Sequence, residues 1–149
     1  MVAFESPVSS DQEYKLRIMI VEDNLDIAST YRIALTKKGF AVAGVVAKDA
    51  VRQFRELAST GEEPDIVILD RWLPDGDSLY VERELLDIDP TIIIILATSD
   101  TFSEKELRLI GIKGALRKPF GVHDLLAEIS LNPVKECESA KGCLQERGA

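Results

Sequence analysis

Short apolar runs alternate with amphipathic stretches through most of the chain. Unbroken apolar runs of this length, bounded by polar or turn-forming residues, predict strands. The most strongly apolar of them, residues 66–69 and 92–97, predict strands buried on both faces, as in a parallel sheet. The five predicted strands cover residues 16–21, 40–46, 66–70, 91–97 and 115–117.

Helical periodicity and helix-end signals fill the intervals between these strands. Asn24 is a capping residue type, and Gly39 suits the position just after a helix. Ser103 and Glu106 have the spacing of a capping box. Helices are predicted from Asn24 to Gly39, from Asp49, over 78–87, from Ser103 to Gly111 and over 124–131. The inner face of the first helix is predicted to carry Leu25, Ala28, Tyr31 and Leu35.

This alternation of five strands and five helices predicts an α/β fold, a doubly wound five-stranded parallel sheet. Right-handed crossovers bring the C-terminal ends of all strands to one edge, where open sheets bind ligands. The length of 149 residues suits one such domain. We expect it to span residues 15–131, with a flexible leader at 1–14 and a polar, mobile tail at 132–149.

The composition limits the cellular compartment and the classes of binding partner that we expect. A formal net charge of −8 argues against direct nucleic-acid binding. No apolar stretch approaches the roughly 18 residues of a membrane span, and no secretory signal pattern is present. Cys137 and Cys143 lie in the tail and make no zinc pattern with the single histidine. A cytoplasmic protein without membrane insertion is expected.

Polar side chains follow four of the predicted strands and are expected to share one pocket. Carboxylates at close range repel one another, and a hard cation such as Mg²⁺, or Mn²⁺, would relieve that repulsion. A lysine and a hydroxyl suit phosphoryl oxygens. The set therefore predicts phosphoryl transfer to an aspartate. Its members are Glu22, Asp23, Asp70, Thr98, Ser99 and Lys118.

Four motifs in this order carry a resemblance to a known family. They are Val21-Glu22-Asp23-Asn24, Asp70-Arg71-Trp72-Leu73-Pro74-Asp75-Gly76, Ala97-Thr98-Ser99 and Lys118-Pro119-Phe120. Over residues 15–131 the chain resembles the response regulator receiver domains of two-component signalling, which have a flavodoxin-like fold. Because only about 18 residues follow the last predicted helix, it looks like a stand-alone receiver.

The resemblance implies roles for the matched positions. Asp70 would accept a phosphoryl group, with Thr98 and Lys118 bonding to that group. Asp23, Asp70 and the backbone carbonyl of Trp72 would ligate Mg²⁺, and Glu22 would act through a metal-bound water. The Lys118–Pro119 peptide bond would be cis. The domain would be a signalling receiver and no enzyme beyond its own phosphorylation and dephosphorylation.

Three positions depart from the family pattern. Counting forward from residues 73–74 places Ala97 at the hydroxyl position, so a one-residue bulge is needed to bring Thr98 there, with Ser99 as an alternative. Ala115 stands where the family has an aromatic switch residue, which puts the usual readout in doubt. Trp72, beside the phosphoryl site, is hypothesised to shield an acyl phosphate and slow its hydrolysis.

The implied partners are a sensor histidine kinase or a histidine phosphotransfer protein, and a downstream protein target. A homodimer is a further option. Two alternatives stay open from the residues. One is a degenerate receiver that binds partners without phosphorylation. The other is a Mg²⁺-dependent phosphatase with an aspartate nucleophile, although Trp72 stands where such enzymes place their general acid.

Overall fold

The computed structural model describes residues 15–46, 49–73 and 76–132. The predicted leader at 1–14 and the tail from residue 133 onward lie outside the described residues. Asn132, the first residue assigned to the tail, ends the last helix. Among the described residues, no helix combines the length and the apolar character that crossing a membrane requires.

The predicted doubly wound sheet is confirmed. The sheet consists of β1 (Arg17–Val21), β2 (Ala41–Val46), β3 (Ile66–Asp70), β6 (Ile93–Thr98) and β7 (Gly114–Arg117), while β4 and β5 form a separate short pair described below. The five strands are parallel and lie side by side in the order β2-β1-β3-β6-β7. The helices between and after them are α1 (Leu25–Lys37), α2 (Ala50–Ser59), α3 (Leu79–Ile88), α4 (Glu104–Leu109) and α5 (Val122–Leu131).

Alternate side chains of the strands pack against different helices on the two faces of the sheet. One apolar cluster joins α1 and α5 to the sheet, and the other joins α2, α3 and α4 to its opposite face. The first includes Ile18, Ile20, Ala28, Tyr31, Leu35, Ile66, Ile68, Ile93, Ile95, Leu116, Leu125 and Ile129. The second includes Met19, Val21, Phe54, Val67, Leu69, Val81, Leu85, Ile94, Leu96 and Leu107.

Two details of the predicted helices are wrong. Leu25 is 67% exposed, although it was expected on the inner face of α1. At 100° per residue it lies about 90° from the centre of the face formed by the buried residues of α1. The last helix begins at Val122 rather than at 124, because the side chain of Asp124 accepts a hydrogen bond from the Gly121 N–H at 2.9 Å and caps the first turn.

A two-stranded antiparallel pair follows β3 and was not predicted. It consists of β4 (Trp72–Leu73) and β5 (Gly76–Asp77), with Trp72 opposite Asp77 and Leu73 opposite Gly76. Strands of two residues are too short to produce an alternating pattern in the sequence. The pair fixes the backbone that leaves Asp70 and thereby positions Trp72 next to the edge of the sheet.

Candidate functional site

Asp70 is the last residue of β3, and its backbone is held from two sides. The Ser78 hydroxyl donates a hydrogen bond of 2.6 Å to the Asp70 carbonyl, and the Arg71 N–H donates one of 2.9 Å to the Ala97 carbonyl. Asp70 is 6% exposed and Ser78 is fully buried. The turn after β3 therefore keeps the Asp70 carboxyl group in place. Sequence reasoning missed Ser78, since a serine before a helix is a common cap.

Three carboxylates meet at this edge of the sheet. One oxygen from each of Glu22, Asp23 and Asp70 lies within 4.8 Å of the others. At an effective dielectric of about 20, two unit charges about 4.8 Å apart repel by about 3.5 kcal/mol. Hard oxygen ligands at this spacing fit a divalent cation such as Mg²⁺, which would offset the repulsion. The cluster predicted from the strand ends is thus present and suits a metal.

Lys118 supplies the positive charge of the site. Its Nζ lies 2.7 Å from Asp70 Oδ1 and 3.5 Å from Glu22 Oε1. Its backbone N–H donates a hydrogen bond of 2.8 Å to the Thr98 carbonyl, which holds the end of β7 against β6. The Lys118–Pro119 peptide bond is cis, as the resemblance implies. Lys118 therefore reaches both buried carboxylates from the end of β7, across β6.

Burial and neighbouring charges shift the pKa values of Asp70, Glu22 and Lys118. Desolvation raises the pKa of Asp70, with the charge of Asp23 adding to it and Lys118 opposing it. Desolvation also raises the pKa of Glu22, although the Asn24 N–H, which donates to Glu22 Oε2 at 3.1 Å, opposes the shift. Burial alone would lower the pKa of Lys118, but the Asp70 hydrogen bond and the nearby carboxylates outweigh it and raise that pKa. A bound cation would favour the ionised carboxylates.

An aromatic pair lies beside the charged groups. The rings of Tyr31 and Phe120 stack with centroids 5.5 Å apart and planes 18° from parallel. Burial, together with the charge of Glu22, raises the pKa of Tyr31 to about 12. Tyr31 therefore stays neutral at physiological pH and forms an apolar wall near the charged edge.

Thr98 is buried at the end of β6, but its hydroxyl bonds to the loop that follows the strand and not to the carboxylate cluster. It accepts a hydrogen bond of 3.0 Å from the Asp100 N–H. The β3–β6 pairing runs in regular register up to Asp70 opposite Ala97, so the expected bulge is absent from β6. Thr98 therefore continues the pleat of Ile94 and Leu96, which pack on the α2–α3–α4 side.

Asp70 belongs to the opposite pleat, with Ile66 and Ile68 on the α1–α5 side. The structure thus brings together four of the predicted side chains, those of Glu22, Asp23, Asp70 and Lys118. The Thr98 hydroxyl instead accepts a hydrogen bond from the β6–α4 loop, and Ser99, in that loop, is exposed. Which hydroxyl bonds to a phosphoryl group stays a prediction.

Trp72 lies on the solvent side of the site. Its ring is 49% exposed, its Nε1–H donates a hydrogen bond of 2.7 Å to Asp100 Oδ2, and the Arg71 guanidinium lies 5.1 Å from the ring centre. The predicted metal-ligand role of the Trp72 carbonyl and the predicted shielding by its ring stay predictions. Asp100 was missed, because nothing in a loop sequence links it to a residue 28 positions earlier.

Ala115 lies in β7 and packs, half-buried, against the apolar cluster of the α2–α3–α4 side. It also lines a groove of about 610 Å³ between α4, β7 and α5, together with Leu107, Ile112 and Leu131. The groove is open beside the strand at this position.

The sheet order and the acidic edge together define a flavodoxin-like α/β domain of the receiver class. Comparison with protein families gives the same answer, since the model of the response regulator receiver domain matches residues 18–130. The chain therefore belongs to the response regulator receiver domain family of two-component signalling.

Solved structures of receiver domains are similar in fold. The signal receiver domain of a modulated diguanylate cyclase from Desulfovibrio desulfuricans G20 is 28% identical, with a TM-score of 0.65 over 80% of this chain and 94% of that one. Vibrio cholerae chemotaxis protein CheY4 is 20% identical, with a TM-score of 0.69 over 80% and 100%. The receiver domain of sensor histidine kinase PA1611 from Pseudomonas aeruginosa PAO1, solved with magnesium in its active-site cleft, is 24% identical, with a TM-score of 0.65 over 80% and 98%.

Proposed function

We propose that this protein is a phosphoacceptor receiver of a two-component phosphorelay. It takes a phosphoryl group from a histidine kinase or a histidine phosphotransfer protein onto Asp70, with Mg²⁺, and signals by protein–protein contact. The observation that carries the proposal is the 2.7 Å contact between Lys118 Nζ and Asp70 Oδ1 within a cluster of three carboxylates. An aspartate placed in this way is suited to act both as a metal ligand and as a nucleophile.

In the proposed reaction, a carboxylate oxygen of Asp70 attacks phosphorus and the phosphorus–nitrogen bond of the donor phosphohistidine breaks. The electron pair of that bond stays on the departing imidazole. The Lys118 ammonium, now beside Asp70, would pair with a phosphoryl oxygen and offset its charge. The turn held by Ser78 keeps the attacking group at the open edge of the sheet.

The metal would be held by Asp23, Asp70 and the Trp72 carbonyl, with Glu22 acting through water. When bound, Mg²⁺ supplies positive charge that offsets the charge of the phosphoryl group and of the carboxylates. The magnesium in the cleft of the similar PA1611 receiver domain supports this assignment. The chemistry of the three clustered carboxylates supports it independently.

The downstream partner would dock on the face that carries the groove between α4, β7 and α5. Leu131 is 73% exposed at its rim, and Leu107 and Ile112 form part of its apolar lining. Exposed apolar side chains beside an open groove are typical of protein contact surfaces. A second receiver copy would be an alternative occupant of the same face.

A mass measurement tests phosphorylation directly. Incubation with acetyl phosphate and Mg²⁺ should add about 80 Da to the intact protein, the mass of one phosphoryl group. Asp70→Asn should abolish the gain, because an amide is a poor nucleophile. Asp87→Asn, at an exposed position of α3, is the matched control and should keep it.

The second candidate is a degenerate receiver that binds partners without phosphorylation. Ala115 favours it, since a methyl group cannot act as the family's aromatic switch. A wild-type protein that gains no mass with acetyl phosphate, while folded and supplied with Mg²⁺, would replace the first proposal with this one. A gain that survives Asp70→Asn would instead move the phosphorylation to another residue.

A further inference from the structure

Asp100 joins two parts of the site that are distant in the sequence. Its backbone N–H donates a hydrogen bond to Thr98 Oγ1 at 3.0 Å. Its carboxylate Oδ2 accepts a hydrogen bond from Trp72 Nε1 at 2.7 Å. One loop residue therefore links the hydroxyl at the end of β6 to the indole that follows Asp70 by two positions.

The Thr98 hydroxyl meets two competing demands. In the structure it accepts a hydrogen bond from the loop, while a phosphoryl group on Asp70 would need it turned towards the carboxylates at the edge of the sheet. Staggered rotamers place a hydroxyl oxygen at positions about 2 Å apart. A rotation towards Asp70 would therefore carry Oγ1 out of hydrogen-bond reach of the Asp100 N–H.

The Trp72 ring depends on Asp100 for its direction. The indole has one polar group, and that group bonds to the Asp100 carboxylate. The ring is half exposed, so apolar packing restrains it only in part. A bond from a neutral N–H to a carboxylate is charge-assisted and is stronger than a bond between two neutral groups. Movement of Asp100 would consequently move the ring.

We propose, resting on the function proposed above, that Asp100 is a positioning residue that couples the Thr98 hydroxyl to the Trp72 indole. In the unphosphorylated protein, the two hydrogen bonds hold the loop and the ring together. When the hydroxyl turns to the phosphoryl group on Asp70, Asp100 loses its backbone anchor and the indole is released towards solvent. The change is thereby transmitted to the surface without an aromatic residue at position 115.

Intrinsic fluorescence can report this coupling, because Trp72 is the single tryptophan of the chain. Wild-type protein is treated with acetyl phosphate and Mg²⁺, and each sample is divided between intact-mass and fluorescence measurements. The emission maximum should shift to the red, and quenching by acrylamide should increase, in proportion to the phosphorylated fraction. A mass gain without a change in emission or quenching overturns the coupling.

Three variants separate the coupling from a direct effect of phosphoryl charge on the ring. Asp100→Ala should have the red-shifted emission before phosphorylation and gain no further shift afterwards. Asp100→Asn keeps both the backbone N–H and an oxygen acceptor, so it should restore the wild-type change. Thr98→Val, compared at equal phosphorylated fraction, should lose the phosphorylation-dependent shift.

The outcomes distinguish this inference from the proposed function. If wild-type protein gains no mass, phosphorylation of Asp70 itself is refuted, and the coupling falls with it. If Thr98→Val keeps the full emission change, the ring responds to the phosphoryl charge directly and the coupling is refuted while the receiver function stands. Thermal unfolding of each variant shows whether a lost signal comes from a lost fold, and Asp100→Asn repeats the test with the loop intact.

Discussion

At the edge formed by the C-terminal ends of the strands, the two faces of the sheet carry different side chains. The α1–α5 side receives the pleat that ends in Asp70, and Lys118 binds that carboxylate directly. The α2–α3–α4 side receives Thr98 and Ala115, a buried hydroxyl and a methyl group. Asp70 and Lys118, which carry the proposed chemistry, are therefore in contact on one face before any ligand binds. Thr98 and Ala115, at the positions suited to a response, lie on the other face.

The two faces also differ in what holds them together. On the charged side, like charges of Glu22 and Asp70 are offset by one ammonium group and suit a cation. On the other side, apolar packing and two hydrogen bonds of the Asp100 loop maintain the arrangement. Substitutions on the charged side should consequently change the unfolding free energy more, in either direction, and should alter its dependence on pH and metal more.

The largest effect on stability is expected from Lys118→Ala. Removing one partner of a buried ion pair costs about 3–5 kcal/mol, and the 27% exposure of the Lys118 side chain reduces this towards about 3 kcal/mol. Urea unfolding at pH 7 without metal measures the loss. Lys105→Ala, at an exposed position of α4, is the control and should change the unfolding free energy by less than about 0.5 kcal/mol. Equal losses in the two variants would contradict the role of Lys118.

The positions of Asp70 and Lys118 could be predicted from the sequence. The contacts of Thr98, Ser78 and Asp100 could not. Asp70 ends an apolar run and Lys118 follows the last predicted strand, so parallel topology alone brings them to one edge. The direction of the Thr98 hydroxyl depends on the strand register and on a loop bond. Ser78 and Asp100 act through contacts made by the folded backbone. Contacts of that kind leave no periodic signal in the sequence.

Addition of Mg²⁺ should produce the next largest effect. A ligand that binds only the folded protein stabilises it by about 2 kcal/mol at about 30 times its dissociation constant. Thermal unfolding with increasing MgCl₂, at constant ionic strength, measures the gain. Asp70→Asn should lose most of it, because one ligand and one charge are removed. A gain of the same size in that variant would place the metal elsewhere.

A smaller effect is expected from pH in the metal-free protein. The folded state raises the pKa values of Asp70 and Glu22 above 3.8 and 4.5, so it binds protons more tightly than the unfolded chain. The stability contributed by this tighter proton binding is fully present at pH values below the ordinary pKa values. It is lost as the pH rises through the pKa values of the folded state. Asp70→Asn removes part of the repulsion and should be more stable than wild type at pH 7 by about 1 kcal/mol.

Urea unfolding from pH 4 to pH 8 in EDTA, at about one-unit steps, measures that difference. The difference in unfolding free energy between Asp70→Asn and wild type should widen with pH, since Glu22 and Asp70 become charged together with Lys118 as their shared counter-charge. Asp87→Asn should run parallel to wild type throughout. A variant less stable than wild type at pH 7 would show that the Lys118–Asp70 pair outweighs the repulsion.

The smallest effect is expected from Ala115→Tyr, which changes the groove beside β7 and leaves the charged groups untouched. The open groove of about 610 Å³ beside Ala115 gives the added ring room, so the unfolding free energy should change by less than about 1 kcal/mol. The mass gain with acetyl phosphate should equal that of wild type, because Asp70 lies on the opposite pleat. Ala127→Tyr, at an exposed position of α5, controls for adding a ring to the surface. A reduced mass gain in Ala115→Tyr alone would show that the two faces are coupled before phosphorylation, so that the readout side also governs the chemistry.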